Sequence, residues 1–446
     1  MKVYGSHEDT YVAYAGPRKG KTAWMSGVLL DAPGFGLSTS TRPDVWGHTS
    51  IPRGKRGPVL TLDPDPFSGI GSSLKWDMLD GCVLPQIAIE RAGYLMHAAP
   101  KNDGGKDAWW DHQSAELLRL LLHAGELAGA NLLDVKAWAA DPSSKEPVQV
   151  LYQSRFTADG WARELDELSS STDGEFLQSV SRGVTTALGW LADPVMAAIA
   201  CPGPGQSMDA WNLITEGGTL YLVAANKPHG SIAAFCAALT SHVWETGKRI
   251  AALSPGFRLD PAALFVIDEP AITCPVPLDK WFAEAGGWGM PVITGVQSPA
   301  QLIRQWGPEG ARIIRDCATI EIVFGGNTDP DELDSISRIC GGRDSWKHVP
   351  GTGHRGKENY EARLYPPERI RTLEEGHAVV LHRSARPVEV LVSRVWDRPG
   401  YERAEAVPAT PQYAGPVWPD GTPVLTGSAE PVLERGDGTL TITEGN

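Results

Sequence analysis

The octet at residues 15–22 restricts the fold of this chain more than any other feature. It matches the phosphate-binding pattern G-x-x-x-x-G-K-[ST], with alanine at the first glycine position. An apolar run at 11–14 predicts a buried strand before the octet, and the apolar run from Thr22 to Leu30 predicts a helix after it. A strand, a loop and a helix in this order predict an α/β fold with a phosphate site at the helix N-terminus.

Each part of the octet has a physical role in binding a nucleotide. Gly20 lets the backbone approach the phosphates without a Cβ atom, Lys21 bridges the β- and γ-phosphates, and the Thr22 hydroxyl is a ligand for Mg²⁺. We therefore expect the octet to bind ATP and Mg²⁺. The expected nucleotide-binding residues are Ala15, Gly16, Pro17, Arg18, Lys19, Gly20, Lys21 and Thr22.

Two later strands end in residues that complete such a site. The apolar run at 263–267 ends in Asp268 and Glu269, and the run at 291–296 ends in Gln297. After a phosphate-binding loop, we expect Asp268 to hold Mg²⁺ through water and Glu269 to polarise the water that attacks the γ-phosphate. Gln297 is expected to sense the γ-phosphate. Adjacent Asp and Glu favour an ATP hydrolase over a small-molecule kinase, which would need a dedicated acceptor site.

Strand and helix patterns alternate in two parts of the chain and predict a mostly parallel, doubly wound sheet. Between these parts helical periodicity dominates, so we expect an inserted all-α domain. The last strand patterns, at 377–382 and 387–392, predict a hairpin at the sheet edge. The predicted boundaries are 1–84 and 211–400 for the nucleotide-binding domain, 85–210 for the all-α domain and 401–446 for a flexible, acidic, proline-rich tail.

The charge balance limits where an anionic partner could bind. The 446 residues include 40 Lys and Arg against 54 Asp and Glu, a net charge of −14. Coulomb repulsion therefore opposes a protein whose whole surface coats nucleic acid or an anionic membrane, although a local basic groove remains compatible. The segment at 341–357 is rich in glycine and basic residues, and it is interpreted as a solvated mobile loop, with a DNA-contacting loop as the alternative. A solvated surface is likewise favoured over DNA contact for Arg53, Lys55, Arg56, Lys101 and Lys106.

The cysteines and the apolar runs indicate a cytoplasmic protein. Six scattered cysteines form no C-x-x-C pair and have no histidine at metal-ligand spacing, so neither a zinc site nor a disulfide framework is predicted. The sequence contains neither a signal peptide pattern nor a transmembrane pattern. If the protein is anchored in a membrane, we expect the anchor to lie outside this chain.

With these motifs in order, the chain resembles the type IV secretion coupling proteins, which are RecA-like ATPases related to the FtsK and HerA motors. The resemblance extends to about residue 398. It rests on residues 8–22, 40–44, 217–222, 265–269, 295–302 and 367–373, and on Arg386 with Pro387.

The resemblance implies a conjugative coupling protein that delivers a DNA–relaxase substrate to a secretion channel. It implies a hexamer with ATP between subunits, DNA in a central channel, and contacts of the all-α domain with a relaxase or other secreted substrates. It also implies contact with secretion-channel proteins and a place at the cytoplasmic face of the membrane. The nucleotide roles fall on Gly20, Lys21, Thr22, Asp268, Glu269 and Gln297.

One position departs from the family pattern. Trp288 stands about where relatives often carry an arginine that reaches the γ-phosphate of the neighbouring subunit. The candidates for that role elsewhere are Arg182, Arg304, Arg312 and Arg315. Two alternative functions stay open: a FtsK/HerA-type DNA motor outside secretion, or a substrate-docking ring with little ATPase activity.

Overall fold

The structure is a computed structural model that describes residues 5–6, 8–65, 68–99, 107–224, 231–348, 357–405, 432–436 and 439–443. The strands are β1 Tyr11–Tyr14, β2 Gly36–Ser40, β3 Val59–Leu62, β4 Thr219–Val223, β5 Leu264–Asp268, β6 Val292–Val296, β7 Ile320–Phe324, β8 Gly342–His348, β9 Lys357–Arg363, β10 His377–His382, β11 Val388–Leu391, β12 Val432–Gly436 and β13 Thr439–Thr443. The α-helices are α1 Lys21–Asp31, α2 Asp44–Gly54, α3 Pro85–His97, α4 Asp107–Ala128, α5 Leu132–Ala140, α6 Glu146–Gln153, α7 Trp161–Ser169, α8 Gly174–Ala187, α9 Pro194–Ala200, α10 Ala210–Thr215, α11 Ala233–Leu253, α12 Pro270–Thr273, α13 Leu278–Trp288, α14 Pro299–Cys317, α15 Pro330–Ile339 and α16 Pro367–Arg371.

A nine-stranded sheet forms the centre of the fold, in the order β11-β10-β7-β1-β6-β5-β2-β4-β3. The strands from β7 to β3 in this order run parallel to one another. β10 pairs antiparallel with both of its neighbours, β7 and β11. Side chains of β5 alternate between two cores: Phe265 and Ile267 pack into one, and Leu264 and Val266 into the other. A sheet buried on both faces is typical of a doubly wound α/β fold. The predicted fold class is therefore confirmed.

One strand was missing from the sequence prediction. β2 lies between β5 and β4 and is fully buried, although its sequence is Gly-Leu-Ser-Thr-Ser. Its hydroxyl groups are compatible with burial when they find partners, and Thr39 Oγ1 lies 3.0 Å from Thr273 Oγ1. Short polar side chains gave no apolar run, so the periodicity argument did not detect this central strand.

Eight α-helices, α3 to α10, lie between β3 and β4 in the described part of the chain. Asn131 caps α5 with a capping box. Its side-chain oxygen accepts hydrogen bonds from the backbone N–H groups of Leu133 and Asp134, and the Asp134 carboxylate accepts one from the backbone N–H of Asn131. The helical segment is interrupted after α8, which ends at Ala187, and α9 starts only at Pro194. A proline without a backbone N–H is suited to begin a helix there rather than to continue one. The domain boundaries themselves stay a prediction.

The glycine-rich segment is more ordered than predicted over its first part. Residues Gly342–His348 form β8, which pairs antiparallel with β9, so the mobile-loop interpretation is wrong for these positions. Cross-strand backbone hydrogen bonds supply the order that composition did not suggest. Residues 349–356, with His354 and Arg355, lie outside the described residues. DNA contact by this segment stays a prediction.

The prediction that Arg53 lies on a solvated surface is wrong. Its guanidinium is fully buried and donates to Thr219 Oγ1 and to the carbonyl oxygens of Ala32 and Gly34. These partners satisfy a buried cation without a carboxylate. Lys101 and Lys106 lie outside the described residues, as does most of the predicted tail. No α-helix in the described ranges is both long and apolar enough to cross a bilayer.

Candidate functional site

The octet forms the turn between β1 and α1, at the carboxyl edge of the parallel strands. Gly20 has φ 99° and Arg18 has φ 60°, so the loop uses the left-handed conformation that glycine adopts without strain. The first hydrogen bond of α1 runs from Trp24 N to Gly20 O. Within the described residues, no acceptor is recorded for the amides of residues 19–22. Free amides at a helix N-terminus are suited to bind an anion.

The strand order brings the predicted site residues together. β6 lies between β1 and β5, so the octet, the acids after β5 and the glutamine after β6 follow three neighbouring strands. Lys21 Nζ lies 2.7 Å from Asp268 Oδ1 and 3.8 Å from Glu269 Oε1. Gln297 Nε2 donates to Glu269 Oε1 at 2.8 Å. Lys21, Asp268, Glu269 and Gln297 therefore form one connected cluster.

Lys21 and Asp268 are buried together at the centre of this cluster. Their side chains are 10% and 9% exposed, and burial raises the pKa of Asp268, an effect that the Lys21 ammonium opposes. Lys21 Nζ and Asp268 Oδ1 have no hydrogen bond of good geometry, although they are close enough for an ion pair. Buried polar groups usually have well-formed partners. Lys21 Nζ is therefore suited to bind a phosphate in place of Asp268, and Asp268 Oδ1 is suited to face a cation in place of Lys21.

Glu269 is held in an unusual backbone conformation. Its φ of 50° and ψ of 56° place it in the left-handed region, which is strained for a non-glycine residue. Glu269 N donates to Gly295 O at 2.8 Å, and Thr273 Oγ1 donates to Asp268 O at 2.8 Å. These bonds tie both acids to β6 and α12. The sequence analysis did not single out Thr273, which lies on a helix of only four residues.

Gly295 is a second residue that the sequence analysis did not assign to the site. A Cβ atom there would lie 2.7 Å from Asp268 Oδ1, 2.9 Å from Lys21 Cδ and 2.6 Å from Met25 Cε. A side chain there would have to displace the ends of the Met25, Asp268 and Lys21 side chains, so glycine on β6 lets Lys21 and Asp268 meet above it. A glycine inside an apolar strand pattern was the available signal.

The segment after α16 is hydrogen-bonded to the octet. Lys19 Nζ donates to Leu373 O at 3.0 Å, and Gly376 N donates to Lys19 O at 3.2 Å. Gly326, which follows β7, packs so closely that a Cβ on Gly16 would lie 3.1 Å from its carbonyl oxygen. Lys19 was predicted to bind nucleotide. In this structure its ammonium bonds to the protein backbone.

The arginine candidates differ in how firmly they are held within the chain. Arg315 lies over the ring of Tyr14 and contacts Glu321 at 3.5 Å, so its guanidinium is engaged within the chain. Arg312 lies 3.4 Å from Asp316, while Arg182 and Arg304 are exposed. Trp288 ends α13, and its indole N–H donates to Glu284 at 3.3 Å. The residue that reaches a neighbouring subunit stays a prediction.

This fold and this site define the class: a RecA-like α/β protein with a phosphate-binding loop. Residues 262–375 match the family model described as the TraM recognition site of TraD and TraG. This segment contains Asp268, Glu269 and Gln297. No match is found among curated proteins.

Solved structures of conjugative coupling proteins share the fold. The bacterial conjugative coupling protein TrwBdeltaN70, in its unbound monoclinic form, superposes with a TM-score of 0.62 at 16% identity, covering 89% of this chain and 87% of its own. The plasmid coupling protein TrwB in complex with ADP and Mg²⁺ gives 0.61 at 15% identity, with 90% and 88% covered. With the family-model match, these similarities confirm the resemblance to the type IV coupling proteins.

Proposed function

We propose that this chain is an ATP-hydrolysing coupling protein that helps to move a DNA–relaxase substrate into a type IV secretion channel. The observation that carries the proposal is the cluster of Lys21, Asp268, Glu269 and Gln297 at the ends of three adjacent strands. The TraM recognition segment supports conjugation over a DNA motor outside secretion. Solved structures of TrwB, which shares the fold, are complexes with ADP and Mg²⁺ and with a non-hydrolysable ATP analogue.

The residues fit ATP and Mg²⁺. The free amides of the octet and the ammonium of Lys21 suit the phosphates, and Mg²⁺ would be held by the Thr22 hydroxyl directly and by Asp268 through water. Magnesium is commonly bound by one or two protein oxygens together with phosphates and water, so an all-protein cage is not required. When bound, Mg²⁺ neutralises phosphate charge and orients the γ-phosphate. Lys21 would then leave Asp268 and contact the β- and γ-phosphates.

Glu269 is the residue we assign to hydrolysis. Its carboxylate would orient the attacking water and accept a proton from it, while Gln297 holds the carboxylate through the 2.8 Å bond. Loss of the γ-phosphate would change the partners of Gln297, and the movement would pass to the start of α14, where Gln301 accepts a bond from Gln297 N. This cycle would work in a hexamer with DNA in its channel.

We further propose the domain division 1–84 with 211–400, and 85–210, for nucleotide and substrate contacts respectively.

ATP turnover with and without DNA tests the proposal. We expect Lys21→Ala to abolish turnover at saturating ATP, and DNA to stimulate the unaltered protein. Retained turnover in Lys21→Ala would remove the phosphate-loop assignment. An unaltered protein that binds ATP but has a slow rate unchanged by single- or double-stranded DNA would instead favour the docking ring.

A further inference from the structure

Two exposed tryptophans and a half-buried phenylalanine form a group in the helical segment, here called the aromatic cluster: Trp109, Trp110 and Phe176. The two indole centroids lie 4.7 Å apart, and each lies 6.0 Å from the ring of Phe176. Trp109 is 54% exposed and Trp110 is 37% exposed. By contrast, Trp138 and Trp190 in the same segment are buried. Single exposed aromatics are ordinary, but two exposed indoles in contact, backed by a half-buried ring, are typical of a contact surface.

Two acidic residues flank the aromatic cluster at the start of α8. Asp173 caps α8, and its carboxylate accepts from Phe176 N at 3.0 Å, which fixes it beside the cluster. Glu175, in the first turn of α8, is exposed. Neither acid has an ion-pair partner within the described ranges. On α4, the cluster is followed by Asp111 and by the exposed His112. The surface therefore offers aromatic faces beside the carboxylates of Asp173 and Glu175.

This chemistry selects a cationic partner. The face of an indole ring attracts Lys and Arg side chains, and neighbouring carboxylates strengthen that attraction. A nucleic acid strand could stack its bases on the rings, but its phosphates would be repelled by Asp173 and Glu175. The charges of Asp173 and Glu175 therefore favour a basic polypeptide over DNA.

We propose that the aromatic cluster docks a Lys/Arg-rich segment of a partner protein, with cationic side chains over Trp109 and Trp110. The proposal rests on the proposed coupling function, because it gives the chemistry by which a protein substrate would be recruited. It concerns a surface separate from Lys21 and the nucleotide. Loss of ATP binding would therefore leave the docking surface intact.

Calorimetric titration of the whole chain with a defined peptide tests this proposal. The probe is acetyl-(Gly-Arg)₅-amide, and the neutral control peptide is acetyl-(Gly-Gln)₅-amide. We expect the arginine peptide alone to bind, and Trp109→Ala with Trp110→Ala to weaken binding by about tenfold or more, equivalent to about 1.4 kcal/mol. Asp173→Asn with Glu175→Gln should weaken binding and flatten its salt dependence, since asparagine retains the helix cap.

Matched variants separate this result from general attraction to an acidic protein. Trp211, on α10, is 40% exposed and lies outside the cluster. Trp211→Ala should bind the peptide like the unaltered chain, and so should Lys21→Ala. Thermal unfolding checks that each variant is folded. The proposal is overturned if the arginine peptide does not bind, or if Trp211→Ala weakens binding as much as the cluster variant. It is also overturned if the cluster variant loses only binding of a twenty-residue oligothymidylate, which would indicate a nucleic-acid surface.

Discussion

The side-chain amide of Gln297 donates to the Glu269 carboxylate at 2.8 Å and so joins the residues that follow two adjacent strands. The backbone N–H of the same glutamine donates to the side-chain oxygen of Gln301, at the start of α14, at 2.9 Å. A change at the carboxylate can therefore reach α14 through one residue. This relationship gives Gln297 a role that does not require direct contact with a phosphate.

Replacing the Gln297 side chain should slow hydrolysis more than it weakens binding. In Gln297→Ala, Glu269 loses the bond that orients it, so we expect ATP turnover to fall about tenfold to a hundredfold with little change in ATP affinity. Steady-state kinetics and nucleotide titration measure the two effects. Gln301→Ala, which keeps the Gln297 side chain, should lose less activity. Equal losses of turnover and affinity would argue against a role in positioning Glu269.

The ion pair of Lys21 and Asp268 should also matter for stability without nucleotide. Lys21→Met leaves a buried carboxylate unpaired, and we expect the free energy of unfolding to fall by about 3 kcal/mol. Adding Asp268→Asn removes the uncompensated charge and should recover part of this loss. Urea unfolding of both variants measures it. A double variant no more stable than Lys21→Met would show that the pair is not coupled.

A side chain at Gly295 should disturb the nucleotide site. The Cβ of Gly295→Ala would force Lys21, Asp268 or Met25 to move, so we expect nucleotide affinity to fall by at least about tenfold. Gly287→Ala is the matched control, because a Cβ there meets nothing within 4 Å. Fluorescent nucleotide binding compares the two variants. Unchanged affinity in Gly295→Ala would contradict the close approach described here.

Lys19 is expected to act by anchoring the octet and not by contacting phosphate. Lys19→Met removes the bond to Leu373 O but keeps the backbone bond from Gly376 to Lys19. We therefore expect a loss of nucleotide affinity of about threefold to tenfold, well below that of Lys21→Met. Nucleotide titration of both variants provides the comparison. Equal losses would place the Lys19 ammonium on the nucleotide.

His242 should make the protein less stable in acid. Its ring stacks on Trp76 with centroids 5.5 Å apart, and burial, Arg91 and Arg249 lower its pKa to about 3. The unfolded chain therefore binds a proton near pH 6.5 that the folded chain does not bind until about pH 3. Stability falls as the pH falls through this window, by at most about 1.4 kcal/mol per pH unit from this group. His242→Gln should reduce that slope in urea unfolding at pH 7 to 4, whereas the exposed His112→Gln should leave it unchanged.

The sequence predicted those parts of the site that follow apolar strands. The octet, Asp268, Glu269 and Gln297 each stand directly after such a run, so their proximity followed from a parallel sheet. Gly295 and Leu373 could not be found in this way, because their roles depend on side-chain packing and on a backbone contact between distant segments. Arg53 was misplaced for a related reason, since only the three-dimensional fold supplies a buried cation with its carbonyl acceptors.

The neighbours β3 and β4 pair in parallel, with Val59 opposite Thr219 and Leu62 opposite Leu222. A parallel connection needs a crossover of only about a dozen residues. The chain instead leaves β3 at Leu62 and returns at Thr219, with eight described helices between them. The connection is held at more than its two ends, because Tyr94 on α3 donates to Glu245 on α11 at 2.7 Å and Glu90 pairs with Arg249 at 2.6 Å. Leu117 and Phe265 also belong to one hydrophobic core. A force on the helical segment would therefore reach α11 and β5 through packed side chains, in addition to the two strand ends.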